Sequence, residues 1–187
     1  MGPNKDKAFL RTGGRTLLEH ALELARAATG NAPENNWIIG SSGKFAGFGP
    51  VVEDIYPGQG PLAGIHAALT ASTTDLNLII AVDMPFLQPE FLSYLIRQAR
   101  ASKSAVVVPR TTRGLQPLAA VYRREFAAVS ERSLRAGQNK VVLSFAEIQT
   151  RVIEPEELKE NGFAEELFRN LNTEQEWLEA QQKLIAG

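Results

Sequence analysis

Hydrophobic positions follow two spacings that alternate along this chain. Short continuous apolar runs, bounded by glycine, proline or charged residues, are typical of buried β-strands. Between them, apolar residues recur every three or four positions, which indicates amphipathic helices. The predicted strands are Trp37 to Ile39, Val51 to Val52, Asn77 to Val82, Ala105 to Val108, Leu118 to Tyr122 and Arg151 to Ile153. The predicted helices are one capped by Thr16 and ended by Gly30, followed by Pro61 to Ala71, Pro89 to Ser102, Glu125 to Ala136, Val141 to Ile148 and Thr173 to Ile185.

Strands and helices that alternate at this distance predict a three-layer α/β fold with a Rossmann-like, mixed and mostly parallel sheet. The chain has 187 residues, and a domain of this size buries roughly 70 per cent of the surface of its unfolded chain. We therefore expect residues 1–187 to form one domain. One feature does not fit, because a doubly wound fold normally opens with a central strand and none precedes Asp6.

Composition narrows the classes of function. The 20 basic and 21 acidic side chains are spread along the whole sequence and give a formal net charge of -1, which argues against nucleic-acid and anionic-membrane partners. The lack of cysteine excludes disulfides, thiolate zinc sites and cysteine nucleophiles. The amino terminus is charged, and no apolar run approaches the ~20 residues of a membrane span. We expect a soluble, cytoplasmic protein.

The segment from Ile80 to Phe86 carries the strongest candidate chemistry. An apolar run ends in Asp83, and Pro85 then stops the hydrogen-bond ladder of the strand. A carboxylate at the carboxyl end of a strand offers oxygen to a hard cation, and ligands of open parallel sheets bind at this edge. Asp83 is therefore a candidate to offer oxygen to a cation such as magnesium. The competing interpretation is an aspartate that caps a turn before proline.

A glycine- and proline-rich turn after Glu53 and Asp54 is the second candidate. Its glycines let backbone amides approach a ligand closely, and the helix that begins at Pro61 presents a partly positive amino terminus. Alone, this turn is weak evidence, since proline is common at the first position of any helix.

Four segments, in their order and spacing, resemble the molybdenum cofactor guanylyltransferase family. They are GPLAGIHAAL from Gly60 to Leu69, AVDMPF from Ala81 to Phe86, QPLAAVY from Gln116 to Tyr122 and NLNTEQEWL from Asn170 to Leu178. The likeness runs from Met1 to about Ala180, and the four together are much more specific than any one. It implies a fold of the nucleotide-diphospho-sugar transferase type. The implied reaction transfers GMP from GTP to the phosphate of molybdopterin, with or without molybdenum, and releases pyrophosphate. Magnesium is the implied cofactor, and transient contact with other cofactor-biosynthesis proteins is compatible with this role.

The resemblance also implies roles for individual positions. Lys7 would clamp the triphosphate and neutralise the charge that grows on the leaving pyrophosphate. Asp54 would accept hydrogen bonds from guanine N1 and N2 or from ribose hydroxyls, and Asp83 would hold magnesium. The nucleotide-side residues implied are Lys7, Ser42, Asp54, Gly60, Pro61, Leu62 and Asp83.

The acceptor-side residues implied by the resemblance are Gln116, Asn170 and Asn172. The two asparagines alternate across Leu171, so in an extended strand they share one face, and an amide can both donate to and accept from a pterin edge. The alternatives are that Asn172 caps the last helix and that Gln116 belongs to a turn before an antiparallel strand. Nearby Arg110 and Arg113 are candidates for the acceptor phosphate, although solvated arginines are more common at such turns.

The chain also departs from the family pattern. Met1-Gly2 and Asp6-Lys7 match its M-G and D-K elements, but the preceding strand and glycine loop, L-A-G-G-x-S-x-R, are absent. Ser42 lies in a loop where the family often has asparagine. Two explanations of the missing loop stay open, namely a wrongly assigned gene start or truncated sequence and a non-catalytic nucleotide-binding remnant. Another nucleotidyltransferase of the same fold that uses CTP is a further alternative. His20 and His66 have no partner at metal-ligand spacing, and we expect structural roles for both.

Overall fold

The structure is a computed structural model that describes residues 6–12, 14–30, 35–171 and 176. The strands are β1 (Arg11–Thr12), β2 (Arg15–Thr16), β3 (Ile38–Ile39), β4 (Val51–Val52), β5 (Leu76–Ile80), β6 (Val106–Thr111), β7 (Gly114–Leu115), β8 (Ala119–Arg123) and β9 (Thr150–Ile153). The helices are α1 (Leu17–Thr29), α2 (Ser42–Phe45), α3 (Pro61–Ala71), α4 (Pro89–Ala101), α5 (Phe126–Arg135), α6 (Val141–Ser144) and α7 (Pro155–Glu160). Short 3₁₀ turns cover Lys7–Phe9, Phe145–Glu147 and Glu165–Phe168. Apart from position 176, the predicted last helix lies outside the described residues.

Helix α1 begins and ends where its sequence predicts. The Thr16 hydroxyl accepts a hydrogen bond from the backbone N–H of Glu19, and the Glu19 carboxylate accepts one from the backbone N–H of Thr16. This reciprocal cap satisfies two amides that a helix start otherwise leaves without partners. Gly30 ends the helix in the left-handed conformation with φ 66°, which glycine adopts without the steric cost of a Cβ atom.

The main sheet has five strands, and β8 lies between β5 and β6, antiparallel to both. Strand β6 also pairs antiparallel with β7 and parallel with β9. Strands β5, β6 and β9 therefore run in one direction, while β7 and β8 run in the other. The predicted α/β class is confirmed, but the expected mostly parallel pairing is corrected in this sheet. The connection from β6 to β8 is too short for a parallel crossover, so the chain must turn back on itself.

Two apolar layers cover the two faces of this sheet. Side chains of β6 and β8 alternate between them, so Val107 and Val121 pack with α4, whereas Val106 and Tyr122 pack with α3 and α5. Because successive side chains of a strand point to opposite faces, two buried faces require continuous apolar runs. The layers are those of the predicted three-layer fold. Strands β3 and β4 pair in parallel beside α3, with Ile38 opposite Val51.

The strand directions define one edge at which candidate residues gather. The carboxyl ends of β5 and β6 and the amino end of β8 share this edge, and the backbone N–H of Ala81 donates to the carbonyl of Leu118 over 2.7 Å. Asp83 and the segment Gln116 to Leu118 consequently lie side by side along it. Within the described part of the chain, no helix is long and apolar enough to cross a membrane.

Candidate active site

Lys7 and Asp83 meet at the carboxyl edge of β5. The Asp6 carboxylate accepts a hydrogen bond from the backbone N–H of Ala8 and so caps the short 3₁₀ turn that begins at Lys7. This turn places Lys7 Nζ 3.6 Å from Asp83 Oδ2. Asp6 itself pairs with Lys44. With 34% and 23% of their side chains exposed, Lys7 and Asp83 are half-buried yet still reachable from solvent.

The backbone around Asp83 is held from two directions. Leu171, which is fully buried, donates its backbone N–H to the Asp83 carbonyl over 3.0 Å. On the other side, His20 Nε2 lies 2.9 Å from the carbonyl oxygen of Pro85. Sequence reasoning missed the second contact, because 65 positions separate the two residues and no local pattern links them.

Asp54 follows β4 and packs beside the start of α3. A methyl group placed on Gly64 would lie 3.7 Å from Asp54 Oδ1, so the carboxylate is close to the helix although the residue as a whole is exposed. Partial burial raises the pKa of this carboxyl group above its usual value because water no longer solvates the charged form fully. A ligand that donates hydrogen bonds to Asp54 would restore that solvation.

Ser42 is already engaged by its neighbour Glu53. Its hydroxyl and its backbone N–H both donate to Glu53 Oε1, over 2.6 and 2.8 Å. These two hydrogen bonds lower the pKa of the Glu53 carboxyl group. The predicted nucleotide contact of Ser42 would therefore compete with this pair, which ties α2 to the end of β4.

The predicted nucleotide loop ends at the first turn of α3. Gly60 has φ 72° and precedes Pro61, the first residue of the helix. Both residues are exposed, whereas Leu62 is fully buried in the core between α3 and α5. Any contact of Leu62 with a ligand is consequently limited to its backbone.

Two hollows flank the segment from Gln116 to Leu118. The Lys140 hollow has a volume of about 340 Å³ and is lined by Gly60, Pro61, Pro117, Leu118, Lys140 and Val142, among others. The Arg113 hollow has a volume of about 480 Å³ and is lined by Thr112, Arg113, Gln116, Glu165, Phe168 and Arg169, among others. The second is the more polar, because charged and amide side chains of both donor and acceptor type converge on it.

Gln116 is oriented toward the Arg113 hollow by its own hydrogen bonds. Its amide nitrogen donates to Thr111 Oγ1 over 3.0 Å and to the Gly114 carbonyl over 3.3 Å. Both donated bonds fix the amide plane, which defines where its oxygen accepts. Tyr122, buried in the core, donates its hydroxyl to the Pro117 carbonyl over 2.7 Å and anchors the same segment.

Asn170 lies next to Leu171 and therefore close to the Asp83 turn. Its Oδ1 atom is buried and has no hydrogen-bond partner. A buried amide oxygen without a partner is costly, and an unmet acceptor of this kind is typical of a position that a ligand or water completes. Asn172 lies outside the described residues.

Asp83 is the residue at this edge that could hold a cation brought by a substrate. In residues 6–12, 14–30, 35–171 and 176, no group of three or more acidic, histidine or cysteine side chains is placed to hold a metal. A cage built by the protein alone is thus not formed there. One accessible carboxylate at Asp83 meets the smaller demand of magnesium that is already bound to phosphates.

Comparisons with known proteins show the family to which this chain belongs. The family model described as the MobA-like NTP transferase domain matches residues 1–152. A probable molybdenum cofactor guanylyltransferase of Clostridium perfringens is 31% identical over 176 residues, which cover 92% of this chain and 86% of that protein. One of Pelotomaculum thermopropionicum is 31% identical over 182 residues, which cover 94% of this chain and 84% of that protein.

A solved structure shows the same fold. The crystal structure of molybdopterin-guanine dinucleotide biosynthesis protein A from Archaeoglobus fulgidus is 24% identical, has a TM-score of 0.81 and covers 98% of this chain and 93% of its own. The resemblance inferred from the four segments is confirmed. The chain belongs to the family of proteins with a MobA-like NTP transferase domain.

Proposed function

We propose that this protein transfers GMP from GTP to the terminal phosphate of molybdopterin. An oxygen of the acceptor phosphate attacks the α-phosphorus of GTP and forms a new P–O bond. The bond between the α-phosphorus and the β-bridging oxygen breaks, and pyrophosphate leaves with its electron pair. No protein nucleophile is needed, since the reaction mainly requires alignment of two anions and neutralisation of their charge.

The observation that carries the proposal is the meeting of Lys7 and Asp83 at the carboxyl edge of β5, at 3.6 Å. An ammonium and a carboxylate side by side offer one group for phosphate oxygens and one for a cation. Magnesium, when bound with the substrate, would screen the phosphate charges and be held by Asp83. Lys7 would bind the departing pyrophosphate, whose negative charge increases along the reaction.

Asp54 supports guanine as the base. A single carboxylate accepts hydrogen bonds from N1–H and N2–H₂ of guanine at the same time, whereas cytosine presents only one donor group on its pairing edge. Since partial burial already disfavours the charged Asp54, two donated bonds also recover part of this cost.

The Arg113 hollow supports a place for the acceptor. It adjoins Gln116, and Arg169 at its rim is followed by Asn170, whose buried Oδ1 lacks a partner. The hollow therefore presents guanidinium donors next to carboxylate and amide acceptors. A pterin edge has both donors and acceptors, so its chemistry matches this wall.

Substitution of Asp83 tests the proposal. We expect Asp83→Asn to reduce guanylyl transfer by about 10² to 10³-fold, because a group aimed at developing phosphate charge is lost. The matched control is Asp75→Asn, since Asp75 lies at the opposite end of β5 and pairs with Arg123. Product formation is measured with magnesium and molybdopterin, and far-UV circular dichroism checks the fold. Wild-type turnover in Asp83→Asn would refute the assignment.

Calorimetry with GTP and CTP separates the alternatives. We expect the wild type to prefer GTP and Asp54→Asn to lose much of that preference. Tighter binding of CTP would identify a cytidylyl transferase of the same fold instead. GTP binding without turnover would identify a non-catalytic nucleotide-binding protein.

A further inference from the structure

The turn from Asp83 to Pro85 depends on contacts from outside its own strand. Strand β5 ends at Ile80, and within the turn Met84 and Pro85 are buried while Asp83 stays partly accessible. Buried carbonyl oxygens require hydrogen-bond partners. The Pro85 carbonyl finds its partner in α1, where His20 Nε2 lies 2.9 Å away.

The chemistry of this contact defines which ring nitrogen of His20 carries hydrogen. A carbonyl oxygen only accepts hydrogen bonds, so Nε2 of His20 must carry the proton. The contact is therefore a hydrogen bond that the ring donates to the Pro85 carbonyl.

A second hydrogen bond holds the other end of the same turn. The backbone N–H of Leu171 donates to the Asp83 carbonyl over 3.0 Å. Leu171 also packs with Leu17 of α1 and with Phe86, which follows the turn. Positions 83 and 85 are thus each attached to a different part of the chain, and the Asp83 carboxylate projects from a backbone fixed on both sides.

We propose that His20 is a positioning residue that holds the Asp83 turn in the geometry needed for metal-assisted nucleotide binding. The inference rests on the proposed function, in which Asp83 holds the magnesium that accompanies GTP. A displacement of about 1 Å at such a group can reduce catalysis about 10²-fold, and a functional side chain is only as well placed as the contacts that support it. His20 acts through the Pro85 carbonyl and needs no contact with substrate.

Two substitutions of His20 separate positioning from simple packing. His20→Gln keeps an N–H donor near the position of Nε2, whereas His20→Leu keeps an apolar side chain of similar size without a donor. The control is Thr16→Ala, which removes the cap of the same helix but leaves the Pro85 contact intact.

The readout is the gain in GTP affinity that magnesium provides, measured by calorimetry with and without the metal. We expect His20→Leu to reduce this gain at least about tenfold, and His20→Gln to restore it to within about threefold of the wild type. Thr16→Ala is expected to lower the melting temperature and leave the gain unchanged. The magnesium concentration that gives half-maximal turnover should rise in His20→Leu, and should stay near the wild-type value in His20→Gln and Thr16→Ala.

The outcomes distinguish the inference from the function on which it rests. If the wild type shows the gain and His20→Leu retains it, or if Thr16→Ala loses it equally, the positioning role is refuted and the proposed function stands. If the wild type gains no affinity for GTP from magnesium, the metal role of Asp83 fails, and the positioning role fails with it.

Discussion

Replacing Tyr122 with phenylalanine removes one hydroxyl from the centre of the core. This hydroxyl donates to the Pro117 carbonyl over 2.7 Å, and Tyr122 has no exposed surface. Because Pro117 is only partly buried, loss of this hydrogen bond costs about 0.5 to 1.5 kcal/mol. For a protein of this size, 1 kcal/mol changes the melting temperature by about 2 to 4 °C. We therefore expect Tyr122→Phe to melt roughly 1 to 6 °C below the wild type.

If the acceptor binds as proposed, the same substitution also has a functional consequence. Pro117 follows Gln116, so loss of the anchor releases a wall shared by both hollows. If about 1 kcal/mol of positioning is lost, the KM for molybdopterin rises about fivefold. The KM for GTP is expected to change less, because Lys7, Asp54 and Asp83 are held by other contacts.

Tyr94→Phe is the matched control. The Tyr94 hydroxyl donates to Glu157 over 2.7 Å, on the opposite layer of the fold. Arg151 continues to hold Glu157 after the substitution. This variant is expected to lose some thermal stability without any change in the KM for molybdopterin. The reasoning is refuted if Tyr122→Phe melts with the wild type, or if both variants raise the KM for molybdopterin equally.

Three further predictions concern stability. Burial lowers the pKa of His66 below its usual 6.5, so near that pH the unfolded chain binds more protons than the folded one. The free energy of unfolding should therefore fall as the pH drops below about 6.5. Urea melts of His66→Gln should show a weaker fall. Burial, together with the hydrogen bond to Glu157, raises the pKa of Tyr94 to about 12, so this tyrosine ionises at a lower pH in the unfolded chain than in the folded one. The free energy of unfolding should therefore decline from about pH 10 to 12, and less steeply in Tyr94→Phe. The same decline in the wild type and in Tyr94→Phe would contradict the assignment. Gly30→Ala should cost about 1 kcal/mol in thermal melts, because φ is 66° and the added methyl meets no neighbour, whereas Gly47→Ala, whose φ is not positive, should be nearly neutral.

The sequence predicts those parts of the fold that depend on local signals. Helix α3 has the predicted bounds, because a Gly-Pro start and a continuous apolar face mark it clearly. Helix α7 was missed, since its six residues, PEELKE, contain four charged side chains and only one buried leucine. The reversed direction of β8 is set by the short return from β6, and an apolar run reads the same in either direction.

In the candidate site, too, the residues marked by local motifs are predicted and the contacts between distant residues are not. Lys7 and Asp83, predicted from two separate motifs, are brought together by the fold. The contacts of His20 with Pro85 and of Ser42 with Glu53 link residues on different elements, and a histidine or serine carries no mark of such a distant partner. The roles of Gln116 and Asn170 stay predictions, with hydrogen bonds and burial that fit them.

The reversed strand β8 begins where the β6–β7 hairpin ends, at the edge of the sheet that carries Asp83. Lys7, Asp54 and Asp83 belong to chain segments that precede this hairpin, whereas Glu165, Phe168 and Arg169 of the Arg113 hollow follow β8. Grafting a hairpin from another nucleotidyltransferase between β6 and β8 would thus replace one wall of this hollow and leave Lys7, Asp54 and Asp83 in place. For protein engineering, this junction is the place at which to change the acceptor specificity. The graft must keep Ala119 in register, because a slip of one residue would move every side chain of β8 to the opposite face of the sheet.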